Sequence, residues 1–585
     1  MGPRWVPAPS SESLRTVSQD APVVLSRRRV WLRRWGVPAL GLAVAAVVLT
    51  RAHLHFVFPY PAPVSNDEGY ISAMVLRMMS GRWLPYVDGV SQRGPVLYWL
   101  AALAMQLGGR FSWVPLRVLS LALGLSTLGL TFALGAELFA PLAGAFGALF
   151  VAYFLGYELN PWDGIGYNGE IVAMQFALGA MLLVARSMRP VAEVDDPRRR
   201  GRALVAAGAL AAMAGLSKQM TLVHAVPCAL WILLGRTGDP RGLRDRARDL
   251  GRFGLGAAVP YALVLGLYAA TGHLGAFLYY YQRYGREIFM APVSAEVYRD
   301  KVREQIDKYF LGITAVSMVA VVALGRWLGR ALTGPEVGWA RVRREAPGLA
   351  ALAQFGAGVL GACFTGRFFP HYFVEVFPVA GVLVGGVAAA FVGSPGDEPE
   401  GAPTPAEGWR GQVPALTAVV GATVLLAVSA SALGRNVAAR RVTDRWYKDP
   451  RHDPIVRYVI EKSRPEHTVF VWGFRAEVHV SSGRMPASRY VYSVYPSGVV
   501  PWFASTREQE DARQVPGARA QLLEDLEAAQ PELVVDAGRS MNSRYMYNYP
   551  TLRAYLDQHY CFLRYVDGEP VYRRRRGPTC PPADY

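Results

Sequence analysis

The apolar residues of this chain collect in runs long enough to cross a bilayer, and this limits the fold more than any other feature. A membrane-spanning helix needs roughly 20 residues. Such runs lie at 37–57, 113–136, 141–157, 168–186, 203–218, 220–235, 252–271, 309–329, 347–365, 370–393 and 412–434. They are rich in Ala, Leu, Val and Gly, which suits close helix packing in lipid. The pattern predicts a polytopic α-helical membrane protein with about 11 transmembrane helices.

The net charge of +17 could suggest nucleic acid as a partner, but its distribution argues against it. Arginine concentrates in short loops: Arg27-Arg28-Arg29 with Arg33-Arg34, Arg198-Arg199-Arg200, the 236–252 loop, and Arg341 to Arg344. Short Lys/Arg-rich loops stay in the cytoplasm, so the charge reports topology. With the N-terminus inside, every such loop is cytoplasmic only if 94–108, which is short and begins at Arg93-Gly94-Pro95, does not cross. That segment and the 68–81 stretch are then read as helices lying on the outer face.

Four regions follow. Residues 1–35 form a disordered basic cytoplasmic tail, with the first span an uncleaved anchor. Residues 36–435 form the transmembrane domain, in which 58–112 is the first outer loop and 394–411 a flexible linker. Residues 436–585 then lie outside, placing the chain in a bacterial-type inner (plasma) membrane with an extracytoplasmic C-terminal domain. There, helical segments at 453–463, 517–530 and 551–559 alternate with strands at 468–473 and 532–536 and a strand pair hinged at Asp567-Gly568. Such alternation implies an α/β layer structure, here without a nucleotide motif. Cys228 and Cys363 fall in spans. Cys561 and Cys580 would both face an oxidising compartment, which permits a disulfide.

The chemistry-bearing residues sit near the outer ends of the spans. Asp67 and Glu68 follow Ser65, and a helix-capping box explains that spacing by itself. The same loop also carries Tyr70, Trp83, Tyr86, Asp88 and Arg93, and a carboxylate beside apolar surface can have a raised pKa and act as a general base. A second outer loop holds Asp163 and Glu170 among glycines and aromatics, which suit a sugar; an interfacial aromatic belt is the alternative. Lys218 lies at a non-cytoplasmic helix end, placed either to bind a phosphate or to snorkel. Arg367, His371, Arg283 and Arg286 add positive charge on the same side, so an anionic ligand is expected there.

These residues resemble those of the GT-C fold glycosyltransferases, in the group of protein O-mannosyltransferases and aminoarabinose transferases (the glycosyltransferase 39-type superfamily). The likeness covers the chain after residue 35. It is carried by Asp67-Glu68-Gly69, by Gly81-Arg82-Trp83-Leu84-Pro85-Tyr86-Val87-Asp88 and by Arg93-Gly94-Pro95. Asn168-Gly169-Glu170, Lys218-Gln219 and the tract from Arg367 to Tyr372 are similar to weaker motifs. One proline stands where the family often has two.

The resemblance implies a polyprenyl-phosphate-linked sugar donor and inverting transfer to a lipid, glycan or protein acceptor. Asp67 would be the catalytic base, and Glu68 would orient the acceptor or support the loop. Arg93, Lys218, Arg367 and His371 would hold the donor phosphate, while Tyr70, Asp163, Asn168, Glu170 and Arg283 would contact sugar or acceptor. The resemblance fixes no cofactor. Some relatives use a divalent cation (Mg or Mn), but no His/Asp cluster here demands one. A transporter or flippase of lipid-linked sugar, or a non-catalytic cell-envelope assembly protein, is the rival reading. In the transferase case, donor binding by the membrane domain should survive removal of 437–585.

Overall fold

The computed structural model describes residues 27–58, 65–159, 161–189, 196–235, 241–289, 346–364, 369–392, 453–500 and 505–580, with a few isolated positions besides. Among the described residues, six helices are long and apolar enough to cross a membrane. They include α1 (Arg27–Phe56), α4 (Val114–Leu138), and α5 (Pro141–Tyr153) continued by the π-helical turn Phe154–Glu158. The others are Gly169–Ser187, Leu243–Ala270 and Ala346–Cys363. Pro197–Ser217 packs between Gly169–Ser187 and Leu243–Ala270, although its first turn carries arginines. Gln219–Leu234 and Phe377–Ala389 are shorter apolar helices. The expected spans at 309–329 and 412–434, the 394–411 linker, the tail through residue 26 and Arg367 lie outside the described residues.

Between α1 and α4 the chain forms two short helices, α2 (Asn66–Met79) and α3 (Pro95–Gly108). At 14 residues, α3 spans only about 21 Å, less than the roughly 30 Å of a hydrocarbon core. The loop joining them is closed by Asp88, whose Oδ2 accepts the backbone N–H groups of Arg82 (2.7 Å) and Leu84 (3.0 Å). Trp83 and Tyr86 hold positive φ there (64° and 69°). Gly94 sits so close to the helix Pro197–Ser217 that an added Cβ would lie 2.0 Å from the Leu216 carbonyl oxygen. Any other residue would therefore push the start of α3 away from that helix.

Near the C-terminus a five-stranded sheet has the order β2-β1-β3-β5-β4. The strands are β1 (Thr468–Gly473), β2 (Met485–Pro486), β3 (Leu533–Ala537), β4 (Tyr560–Val566) and β5 (Glu569–Arg574). β1 pairs in parallel with β2 and β3, with Val469 opposite Leu533; β5 runs antiparallel to β3 and β4. All five residues of β3 are buried, as a central strand covered on both faces requires. Cys561 and Cys580 form a disulfide.

This α/β unit is not a separate ball on a tether. One apolar cluster joins Tyr70, Ile71 and Met74 of α2 to Ala476, Val480 and Val491. A second joins Tyr86, Tyr268, Phe277 and Tyr281 to Trp472, Tyr490 and Tyr495. The first loop lies between the membrane helices and the sheet.

Candidate active site

Asp67 lies in the first turn of α2, whose N-cap, Ser65, accepts the Glu68 N–H through its side chain at 3.0 Å. The Glu68 carboxylate does not return the bond as a full capping box would. It turns inward to Arg117 of α4, with Oε1 3.5 Å from Nε; the two side chains are 0% and 2% exposed. Of the two roles open to Glu68, this placement fits support of the loop.

Asp67 faces the opposite way. Its Oδ1 accepts from Arg93 Nη2 at 2.6 Å, and each side chain is 23% exposed. Arg93 is held in turn by the Tyr86 hydroxyl, which donates to its carbonyl (2.6 Å), and by Ser91 Oγ, which accepts its N–H (3.1 Å). Burial pushes the Asp67 carboxyl upward, but the Arg93 guanidinium, with His371 and Lys218 behind it, outweighs burial and holds it below the ordinary carboxylate range. The sequence reading allowed a raised pKa beside apolar surface; the pairing with Arg93 favours the ionised carboxylate instead.

Three other elements converge on this pair. The imidazole of His371 places Nδ1 3.2 Å from Asp163 Oδ1. Its Nε2 lies 3.8 Å from both Asp67 Oδ2 and Glu170 Oε1. Glu170 begins the helix Gly169–Ser187, and Lys218 ends Pro197–Ser217; Lys218 Nζ is 2.5 Å from Glu170 Oε1. Lys218 also pairs with Glu375 Oε1 at 3.0 Å and sits 4.1 Å from the centre of the Tyr372 ring. At 13% exposure and with two carboxylate partners, it does not snorkel toward water.

Two expected ligands are engaged elsewhere. Asn168 is the N-cap of Gly169–Ser187: its Oδ1 accepts from Ile171 N–H (2.9 Å) and its Nδ2 donates to the Asp163 carbonyl (3.1 Å). The Tyr70 hydroxyl donates to the Val90 carbonyl (2.7 Å), and its ring lies 5.7 Å from the Arg93 guanidinium carbon. Both side chains are thus held by the surrounding framework in this structure. Arg283 is exposed on the π-helical segment Leu278–Phe289 and, with Arg286, lines a cavity of about 930 Å³. Arg93, Glu170, Lys218 and Gln219 line its polar side, and Leu222, Leu278, Phe364 and several tyrosines its apolar side.

Sequence reading missed Glu375, which is fully buried and accepts from Thr221 Oγ1 at 3.1 Å. Its signal was available: a carboxylate inside the apolar tract Tyr372 to Phe377 is costly at membrane depth unless paired. Arg117 was missed for the same reason. Among the described residues, no group of three or more His, Cys, Asp or Glu side chains is arranged to hold a metal ion.

Residues 92–255 match the family model of the dolichyl-phosphate-mannose-protein mannosyltransferases, a stretch that contains Arg93, Asp163, Glu170 and Lys218. A search of curated proteins finds no match. Among solved structures, the chain is similar to ArnT from Cupriavidus metallidurans bound to undecaprenyl phosphate. The identity is 16%, the match covers 94% of this chain and 99% of that one, and the TM-score is 0.54. The chain has the GT-C fold. The apo state of the same ArnT gives 17% identity over 92% and 97% of the two chains, with a TM-score of 0.52. The archaeal oligosaccharyltransferase AglB from Archaeoglobus fulgidus, in complex with an inhibitory peptide and a dolichol-phosphate, gives 13% identity over 93% and 75%, with a TM-score of 0.51. The fold is thus shared with these solved structures, and the mannosyltransferase model matches the segment that carries four of the site residues.

Proposed function

We propose that this chain moves a monosaccharide from a polyprenyl-phosphate carrier to an acceptor at the outer membrane surface, with Asp67 as the base. One observation carries the reading. Asp67 pairs with Arg93, which lines one cavity together with Lys218, and Arg93 has a buried Nη1 with no hydrogen-bond partner among the described residues. A buried guanidinium donor left unpaired costs free energy, and a phosphate oxygen would satisfy it. The solved ArnT and AglB, with undecaprenyl phosphate and dolichol-phosphate bound respectively, support the same class of carrier.

The steps follow from charge. The donor phosphate sits between Arg93 and Lys218, with the polyprenyl chain along the apolar and tyrosine-lined wall. As the bond from the anomeric carbon to the phosphate oxygen breaks, its electron pair moves onto that oxygen, and the two fixed cations stabilise the growing charge. The acceptor oxygen bonds to the anomeric carbon from the opposite face, inverting it, and its proton passes to Asp67. Arg93 drawn toward the phosphate interacts less with Asp67, so donor binding itself raises the affinity of the carboxylate for a proton. Arg283 and Arg286 reach the same cavity from the Leu278–Phe289 segment and complete its cationic rim, and Asp163 and Glu170 hold His371 and Lys218 in place.

The test is transfer by purified protein in lipid from a panel of labelled polyprenyl-phospho-sugars, wild type beside Asp67→Asn. Asparagine still accepts from Arg93 but cannot take a proton. Turnover should fall by about 10²-fold or more, the range for a general base, with the thermal midpoint nearly unchanged. Transfer at the wild-type rate in Asp67→Asn would remove the assigned role. Donor translocation without turnover in either protein would instead identify a transporter.

A further inference from the structure

The Asp67–Arg93 pair is built on loop and first-turn backbone, yet two side chains of the α/β unit reach the residues just before each partner. The Tyr492 hydroxyl donates to the carbonyl of Asn66, which precedes Asp67, at 3.1 Å. The Tyr495 hydroxyl donates to the side-chain carbonyl of Gln92, which precedes Arg93, at 2.6 Å. Only three positions separate these tyrosines, and both are tied to the end of β1: Gly473 N–H donates to Ser493 Oγ at 2.9 Å, and Ser493 N–H returns a bond to the Gly473 carbonyl at 3.3 Å.

The contacts continue on both sides. The Tyr492 ring packs on Tyr70 at 4.4 Å between centroids, and the Tyr495 hydroxyl lies 3.4 Å from that of Tyr70. The Gln92 backbone carbonyl accepts from Gln219 Nε2, and Gln219 directly follows Lys218. Gly69 faces the same unit, where an added Cβ would lie 3.2 Å from Glu477 Cβ. The sheet therefore fixes a short segment, and that segment touches the backbone before the base and the side chain before the cation.

We propose that Tyr492 and Tyr495 are positioning residues through which the α/β unit sets the geometry of Asp67 and Arg93, Tyr492 acting on the base and Tyr495 on the phosphate-holding cation. The inference rests on the transferase reading and divides it between two residues. Tyr492 governs the angle at which Asp67 meets the acceptor proton, so its hydroxyl affects the chemical step. Tyr495 governs where Arg93 presents its guanidinium, so its hydroxyl affects capture of the donor phosphate. Displacing a reacting group by even an ångström can cost about 10²-fold, so loss of one hydrogen bond with the ring retained is expected to have a smaller, measurable effect.

The experiment uses the full chain in lipid with the donor that wild type turns over, and compares Tyr492→Phe, Tyr495→Phe and Asp67→Asn. Both phenylalanine variants keep the aromatic packing and should melt like wild type. Tyr492→Phe should lower kcat by about tenfold at unchanged donor KM. Tyr495→Phe should raise donor KM and weaken equilibrium donor binding several-fold, with a smaller change in kcat. A purely structural role would lower the melting midpoint in both variants without separating kcat from KM, and that result overturns the proposal. Wild-type values of kcat and KM in both variants overturn the proposal alone, provided Asp67→Asn is inactive. A wild-type protein that turns over no donor, even with acceptor extracts, overturns the transferase reading and this inference with it.

Discussion

Asp67 and Glu68 are neighbours in sequence with opposite surroundings. Successive helical side chains diverge by about 100°, which sends one carboxylate to the cavity edge and the other beneath α2. Glu68 and Arg117 form a buried pair, and removing one member leaves a charge in an apolar site, typically at a cost of about 3–5 kcal/mol. Glu68→Gln and Arg117→Met should each destabilise the chain on that scale, and the two combined should recover much of the loss. Thermal melts in detergent check this, and simple additivity of the single losses in the double variant would show that the pair is not coupled. Arg93 was legible because an outward arginine runs against the usual topology, and the acidic pair because it shares that loop and matches the family's motif, although a capping box alone would explain its spacing. Glu375 and Arg117 carried a local signal, a charge in an apolar tract, but the partner that gives each its role lies more than 40 residues away and no local pattern names it.

At the scale of elements, the strand and helix pattern of the C-terminal region could be read from period and turn residues, since β1, β3 and the Asp567–Gly568 hairpin carry local signals. The docking of the short helix Glu477–Ser482 against α2 could not, because nothing local records it. Its buried histidine makes a prediction. Burial lowers the His479 pKa from 6.5 to about 3. Its contribution to stability is therefore complete above pH 6.5 and is lost as pH falls toward 3, amounting to about 2 kcal/mol at pH 5. Asp536, at the end of β3, has the opposite slope. Burial raises its pKa from 3.8 to about 8, so ionisation of the unfolded chain increasingly disfavours the fold as pH rises between those values. Asp536→Asn should expose the histidine slope, with amide protection in β1 and β3 falling on acidification from pH 7.5 to 5 once corrected for intrinsic exchange. His479→Met should show protection rising over the same interval. Parallel profiles in the two variants would mean that neither group governs the domain.

For the whole molecule, the apolar spans announced a membrane protein, but not how far its two halves depend on each other. Sequence texture changes near residue 436, and that boundary led to the expectation that donor binding would survive removal of the last 150 or so residues. The contacts across that boundary lead to a different prediction. The α/β unit covers Tyr70, Ile71 and Met74 of α2 and the aromatic group around Tyr268 and Phe277, and it holds the loop before Arg93 through a bond from Val90 N–H to the Arg489 carbonyl (3.0 Å). Without that cover, these large apolar side chains would meet water at roughly 25 cal/mol per Å², and α2 would lose the surface that orients it. A chain ending at residue 452 should bind polyprenyl-phosphate donors at least tenfold more weakly than the full chain. By the same reasoning the intact protein should unfold in one calorimetric transition, since neither half can be exposed without opening the clusters they share. Two resolved transitions, together with full donor affinity in the truncated chain, would show that the α/β unit is an independent appendage and that the first loop holds its shape without it.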